Sequence, residues 1–221
     1  MNVALIIPAY NEAETIQDVI NIAKKSKQFT EIVVVSDGST DNTVEKSLEC
    51  NVKTIALPIN SGKGAAMKVG VDNVESEVIA FLDADLVNIR VGHIEDLIEP
   101  IKRNEADMTC GIFKAGRGYT DFAQKVTPWL TGQRALKKEI VTNYQDLTDS
   151  KFGAELSLTK LAIEQELRVK KVVLEELTHR MKEEKMGIIK GFWARMRMYW
   201  QVFSYFRKNN LSYSTVSSLM D

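Results

Sequence analysis

Asp83 and Asp85 directly follow the apolar run Val78 to Leu82, so two carboxylates stand where a buried strand surfaces. Residues i and i+2 of an extended segment point to the same side, and both acids can then face one cation or the diphosphate it carries. Hard ions such as Mg²⁺ and Mn²⁺ take oxygen ligands and complete their shells with water and substrate phosphates. A spacing this short also arises by chance, so its neighbours decide its meaning. Lys63 lies in Asn60-Ser61-Gly62-Lys63-Gly64. There, backbone N–H groups, a helix N-terminus and an ammonium can receive phosphate, or the glycines can simply shape a turn. The glycine spacing is too short for a Walker A loop, and Met67 occupies the last position of a Gly-x-Gly-x-x-Gly fingerprint. Simple ATPase and dehydrogenase readings thereby lose their main support. Pro8 to Glu12 and Ser36 to Asp41 add further polar residues, although Asn11 or Asn42 also suits a helix N-cap and Asp37-Gly38 a turn.

These residues need elements to position them, and the pattern along the chain supplies a set. Val3 to Ile7, Glu31 to Val35, Val52 to Leu57, Val78 to Leu82 and Asp107 to Phe113 read as strands. Amphipathic stretches over about Glu12 to Ser26, Asn42 to Glu49, Gly64 to Val74 and His93 to Asn104 read as the helices between them. Such alternation predicts βαβ units and a parallel sheet covered on both faces. Ligands of such sheets bind beyond the carboxyl ends of the strands, which is where all four polar loops fall. His93, at the start of the helix after the two acids, reads as structural.

Composition narrows the class. At 221 residues, 44% apolar and 27% charged, the chain fits one α/β domain with a C-terminal appendage. A net charge of −1 offers no global attraction to nucleic acid. Cys50 and Cys110 form neither a disulfide framework nor a metal-ligand spacing, so a reducing, cytoplasmic setting is expected. No secretion signal is visible, and no run of about 18 apolar residues is present to span a membrane.

In order and spacing, Pro-Ala-Tyr-Asn-Glu (8–12), Ser-Asp-Gly-Ser-Thr-Asp (36–41), Asn-Ser-Gly-Lys-Gly (60–64) and Asp-Ala-Asp (83–85) resemble the nucleotide-sugar half of a family 2 glycosyltransferase. The resemblance implies an α/β GT-A fold, a Rossmann-like, mostly parallel sheet with helices on both faces. It implies a donor half over 1–115, an acceptor-binding half of the same domain over 116–185, and a tail over 186–221. It makes Pro8, Ala9, Tyr10, Glu12, Asp37 and Lys63 nucleotide-sugar-site candidates, with Asp83 and Ala84 beside the ribose and diphosphate. Asp85 becomes the metal acid and a catalytic candidate, with Mn²⁺ or Mg²⁺ as cofactor.

In the second half, Gly116-Arg117-Gly118-Tyr119-Thr120, Pro128 to Arg134, Phe152-Gly153-Ala154-Glu155 and His179 occur in an order similar to glucosyl-3-phosphoglycerate synthases. The first loop carries one residue more than the pattern of that group. By this likeness Arg117 and Thr120 anchor the phosphate of an acceptor, for which arginine's bidentate geometry suits. Leu130 and Glu155 line the donor sugar, and His179 completes the metal site. Imidazole favours Mn²⁺ over Mg²⁺. On its own, a histidine after the edge strand Val169 to Leu177 reads equally as a surface or capping residue. Glu155 has three readings: general base of an inverting transfer, hydrogen-bond partner of the donor sugar in a retaining one, or exposed helix residue.

From Gly187 to Lys208, Phe192, Met196, Tyr199, Phe203 and Phe206 recur at helical spacing among Lys190, Arg195, Arg197, Arg207 and Lys208. This basic, aromatic helix suits an anionic membrane surface on its cytoplasmic side, or packing on the catalytic domain or on a second subunit's equivalent helix. The functional expectation is a metal-dependent glycosyltransferase using a UDP- or GDP-sugar and a phosphate-bearing small molecule or lipid. A catalytically quiet nucleotide-sugar-binding protein is the alternative, and no nucleic acid partner is expected.

Overall fold

The computed structural model describes residues 1–114, 131–144, 147 and 153–179. Its first half alternates as the sequence predicts: β1 (Val3–Ala9), α1 (Ile16–Ser26), β2 (Glu31–Asp37), α2 (Thr43–Glu49), β3 (Lys53–Leu57), α3 (Lys63–Asp72) and β4 (Val78–Phe81). There follow β5 (Leu86–Val87), α4 (Val91–Lys102), β6 (Met108–Lys114), β7 (Arg134–Lys137), α5 (Lys138–Thr142), α6 (Ala154–Glu164), β8 (Val169–Glu175) and β9 (Thr178–His179). The large sheet has seven strands in the order β3-β2-β1-β4-β7-β6-β8, and β5 pairs with β9 in a separate ladder. This mixed, mostly parallel sheet is the GT-A arrangement the sequence implied.

Strand alternation divides the core in two. Val3, Leu5, Ile7, Val34, Val78 and Ala80 face α1 and α4, where Ile16, Val19, Ile20, Ile94, Leu97 and Ile98 complete one cluster. Ala4, Ile6, Val33, Val35, Ile79 and Phe81 face α3 and α6, where Ala66, Met67, Val71, Leu158 and Leu161 complete the other. Burying both faces explains why these strands read as unbroken apolar runs. Burial of each Val, Leu, Ile, Met or Phe side chain among them contributes about 1.5–3 kcal/mol.

Three expectations change. Helix α1 begins at Ile16 rather than near Glu12, because Asn11 takes a left-handed φ of 56°. The next residues form a turn in which the Glu12 carbonyl accepts N–H groups from Thr15 and Ile16, at 3.2 and 3.0 Å. The strand expected over Val169 to Leu177 ends at Glu175, because Glu176, with φ 60°, turns the chain out of the large sheet and into β9. Strand β7 is antiparallel to both β4 and β6, an interruption the alternating pattern did not foretell. His93 is buried, and its Nδ1 accepts the Arg90 N–H at 3.2 Å, in keeping with a structural role. Burial, first of all, holds its imidazole below the usual histidine range.

Candidate active site

The loops that leave β1 and β2 are stitched together before they meet any ligand. The Asn11 N–H donates to Ser39 Oγ at 3.1 Å, and Asn11 Oδ1 accepts the Thr40 N–H at 2.8 Å. Asn11 therefore clasps two loops, and the helix N-cap reading fails for it, since α1 starts five residues on. Asn42 does stand at the N-cap of α2, but without a side-chain bond. Asp41 serves that helix instead, accepting the Thr43 N–H at 3.0 Å and, through its other oxygen, the Ala13 N–H at 3.1 Å. Burial raises the Asp41 carboxyl, but the Thr43 hydroxyl and these amides leave it below the usual carboxylate range. Pro8 and Ala9 are buried in β1, whereas Tyr10 just beyond them is 48% exposed at the mouth of the edge. The Glu12 N–H donates to Thr43 Oγ1 at 2.9 Å.

Asp37, at the end of β2, is buried and uses both oxygens on the next loop. Oδ1 accepts the Ser61 N–H at 2.7 Å and Oδ2 the Gly62 N–H at 2.8 Å. Each oxygen keeps a second acceptor direction. This carboxylate fixes the approach to α3 and thereby the root of Lys63. Gly38, which follows it at φ 69°, allows the tight crossing: a Cβ there would meet the Ile59 and Asn60 backbone.

Lys63, the first residue of α3, is the centre of the site. Its Nζ lies 2.5 Å from Asp83 Oδ1 and 2.5 Å from Glu155 Oε1. Asp83 comes from the end of β4 and Glu155 from the first turn of α6, so a single ammonium joins three elements. The three side chains are 31%, 15% and 22% exposed for Lys63, Asp83 and Glu155. Burial works to neutralise Lys63, but its two carboxylate partners override this and hold the ammonium above the usual lysine range. Burial, the largest influence, raises the Glu155 carboxyl and Asp83 adds to it, yet the Lys63 charge, its hydrogen bond and a backbone amide together bring the net shift downward. The second oxygen of Asp83 accepts from Gln133 Nε2 at 2.9 Å. A Cβ at Gly132 would reach within 2.6 Å of Asp83 Oδ2 and overlap Lys63 Nζ, so both side-chain ends would have to shift.

Asp85 lies in the turn between β4 and β5, partly buried. The turn is tied to α1 by the Thr15 hydroxyl, which donates to the carbonyl of the buried Ala84 at 2.7 Å. Leu86, the next residue, is paired with His179 in the β5–β9 ladder. The backbone thus brings the two expected metal ligands to adjacent places from opposite ends of the sequence. With Lys63 and Gln133 engaging Asp83, a carboxylate at Asp85 fits a hard cation that draws most of its oxygens from substrate phosphates and water.

The structure gathers Ala9, Tyr10, Glu12, Asp37, Lys63, Asp83, Ala84, Asp85 and Glu155 at the carboxyl edge of the parallel strands, with His179 beside Asp85 by register. Arg117, Thr120 and Leu130 lie outside the described residues, as does the helix expected over 187–208. Gln133 and Arg134 received no role from the sequence, although they sit inside the quoted Pro128 to Arg134 stretch. An amide and an arginine have the composition of a surface segment, and only the reversed β7 shows that they turn inward.

Residues 4–158 match the family model described as Glycosyl transferase family 2. Dolichyl-phosphate beta-glucosyltransferase ALG5A of Trichomonas vaginalis is 40% identical over 96 residues, 37% of this chain and 30% of that protein. The dolichyl-phosphate beta-glucosyltransferase of Dictyostelium discoideum is 29% identical over 126 residues, 49% of this chain and 38% of that protein. The matched stretches span well under half of these relatives' own lengths. Glucosyl-3-phosphoglycerate synthase of Mycobacterium tuberculosis, solved with Mn²⁺, UDP and glucosyl-3-phosphoglycerate, has a TM-score of 0.69 at 21% identity. That likeness covers 92% of this chain and 79% of that one, and it establishes the shared fold.

Proposed function

The chain belongs to glycosyl transferase family 2, and from that membership we propose that it moves a sugar from a UDP- or GDP-sugar to a phosphate-bearing acceptor with the help of a divalent cation. The observation that carries the reading is Lys63 held between Asp83 and Glu155 at the carboxyl edge of the sheet, with Asp85 two residues on. In such a transfer the anomeric carbon exchanges its bond to the diphosphate oxygen for one to an acceptor oxygen, and the bonding electrons leave with the diphosphate. Asp37, Tyr10 and the backbone around Ala9 and Glu12 form the nucleotide end, Asp83 orients the ribose side, and Asp85 with His179 would hold Mn²⁺ or Mg²⁺. A cation there neutralises the charge that develops on the leaving diphosphate.

Glu155 fits the donor-sugar role better than the general-base role. A base working near neutral pH is most effective when its pKa lies close to that pH. Glu155 is instead held below the glutamate range by Lys63. An ionised carboxylate of this kind is a strong acceptor for a sugar hydroxyl. A phosphate oxygen as nucleophile needs no base, being ionised already. Arg117 and Thr120 are the candidate anchors of that phosphate, and the named acceptors of the relatives, a dolichyl phosphate and a phosphoglycerate, both carry one.

The test is a panel of UDP- and GDP-sugars with Mn²⁺ against 3-phosphoglycerate and a polyprenyl phosphate, reading product and its anomeric configuration. One donor–acceptor pair turned over is the expected result, and the anomeric configuration of its product separates a direct inverting transfer from a retaining one. Nucleotide binding with no turnover of any donor would favour a quiet binding protein.

A further inference from the structure

We propose that Arg134 is a positioning residue, which ties the helix start carrying Glu155 to the loop gripping Asp83 and so sets how both acids reach the donor sugar. This deepens the transfer reading above and rests on it. Arg134 is 1% exposed. Its Nε donates to the Thr131 carbonyl at 3.2 Å, and Nη2 donates to the Glu155 carbonyl at 3.3 Å and the Thr159 hydroxyl at 2.8 Å. Nη1 lies 3.3 Å from Met108 Sδ. The Thr159 hydroxyl in turn donates to the Glu155 carbonyl at 2.9 Å, closing a triangle on the first turn of α6.

The other arm leads to Asp83. The Thr131 hydroxyl donates to Gln133 Oε1 at 2.8 Å, which aims the amide so that Nε2 meets Asp83 Oδ2. With Lys63 bonded to both acids, the contacts form a closed ring through Lys63, Asp83, Gln133, Thr131, Arg134 and Glu155. The antiparallel run of β7 makes the ring possible. It pairs Arg134 with Phe81, the last residue of β4, so the preceding loop arrives beside Asp83. A buried guanidinium carries a desolvation cost that an apolar residue of similar volume avoids. Its planar fork, unlike an ammonium, can hold acceptors on two elements in fixed directions at once.

Arg134→Lys keeps the charge and loses the fork. In the full chain with Mn²⁺, the affinity for UDP should stay within about 3-fold of wild type, while kcat for UDP-glucose, or for GDP-mannose if that is the donor used, falls about 100-fold. The decisive comparison is with Glu155. Arg134→Lys/Glu155→Gln should turn over within about 3-fold of Glu155→Gln alone, since residues acting as one unit do not lose activity multiplicatively. Losses that multiply, or wild-type kcat in Arg134→Lys, would overturn the proposal. If Arg134→Lys does not fold, Thr159→Val opens the same triangle without disturbing a buried charge. The same non-multiplying pattern supports the proposal there, and multiplying losses or unchanged kcat overturn it. Failure of the wild-type chain to turn over any donor would strike the transfer reading itself, a result distinct from any failure of Arg134.

Discussion

Lys63 is the residue on which the donor loop, the Asp83 turn and the start of α6 converge, and its charge and hydrogen bond help to lower the Glu155 carboxyl. Lys63→Met preserves length and removes the ammonium. Turnover should fall about 100-fold, the usual cost of deleting one preorganised charge from a transfer site. The pH dependence has a definite sign. Glu155 has a folded pKa below its ordinary 4.5, so its pairing stabilises the fold above that pH and is lost as acid passes the lower folded value. Lys63 has a folded pKa above its ordinary 10.5, so its contribution is present below that value and is lost as pH rises past the folded one. In Lys63→Met the acid limb of the pH–rate profile should therefore move upward, and an unmoved limb would contradict the coupling. Lys63, Asp83 and Glu155 were legible in the sequence because charged residues in those loops resemble a known motif. Gln133 and Arg134 were not, since nothing in their types distinguishes an inward amide and a buried arginine from a solvated pair.

Among the elements, the parallel strands announced themselves because burial on both faces demands continuous apolar residues. Strand β7, Arg-Ala-Leu-Lys, carries charges at both ends and is only four residues long, so it gave no such signal. Its reversal nevertheless brings Gly132 and Gln133 to the site. Gly132→Ala puts a methyl group against Asp83 and Lys63. Overpacking of this kind costs about 1–3 kcal/mol, and urea unfolding together with donor turnover should show the loss in both. A variant with wild-type stability and turnover would mean the contact yields more easily than the geometry requires. The β6 and β8 starts are joined by Asp107 and Arg168, whose bonds, chiefly those from the guanidinium, pull the Asp107 carboxyl down to about 2. This bond is distant from the site, and at an exposed arginine it contributes little to stability.

The molecule as a whole sets four loops along one sheet edge, and that organisation was readable from the alternation of runs and loops. The pairing of β5 with β9 was not, because it joins residues more than ninety positions apart through two-residue strands whose local sequence shows no pattern. Among the described residues no helix is long and apolar enough to cross a membrane. The basic, aromatic stretch 187–208 is the candidate contact with a lipid surface. The chain with residues 187–221 should float with phosphatidylglycerol liposomes and lose that partitioning when they are removed, whereas equal partitioning would dismiss the membrane contact. The central claim, metal-dependent transfer from a nucleotide sugar, is tested most directly by nucleoside diphosphate release from UDP- and GDP-sugars with Mn²⁺, in wild type and Asp85→Ala. Release from the wild type that disappears in EDTA and falls about 100-fold in Asp85→Ala is the predicted result. Turnover that persists in EDTA, or survives intact in Asp85→Ala, would contradict it.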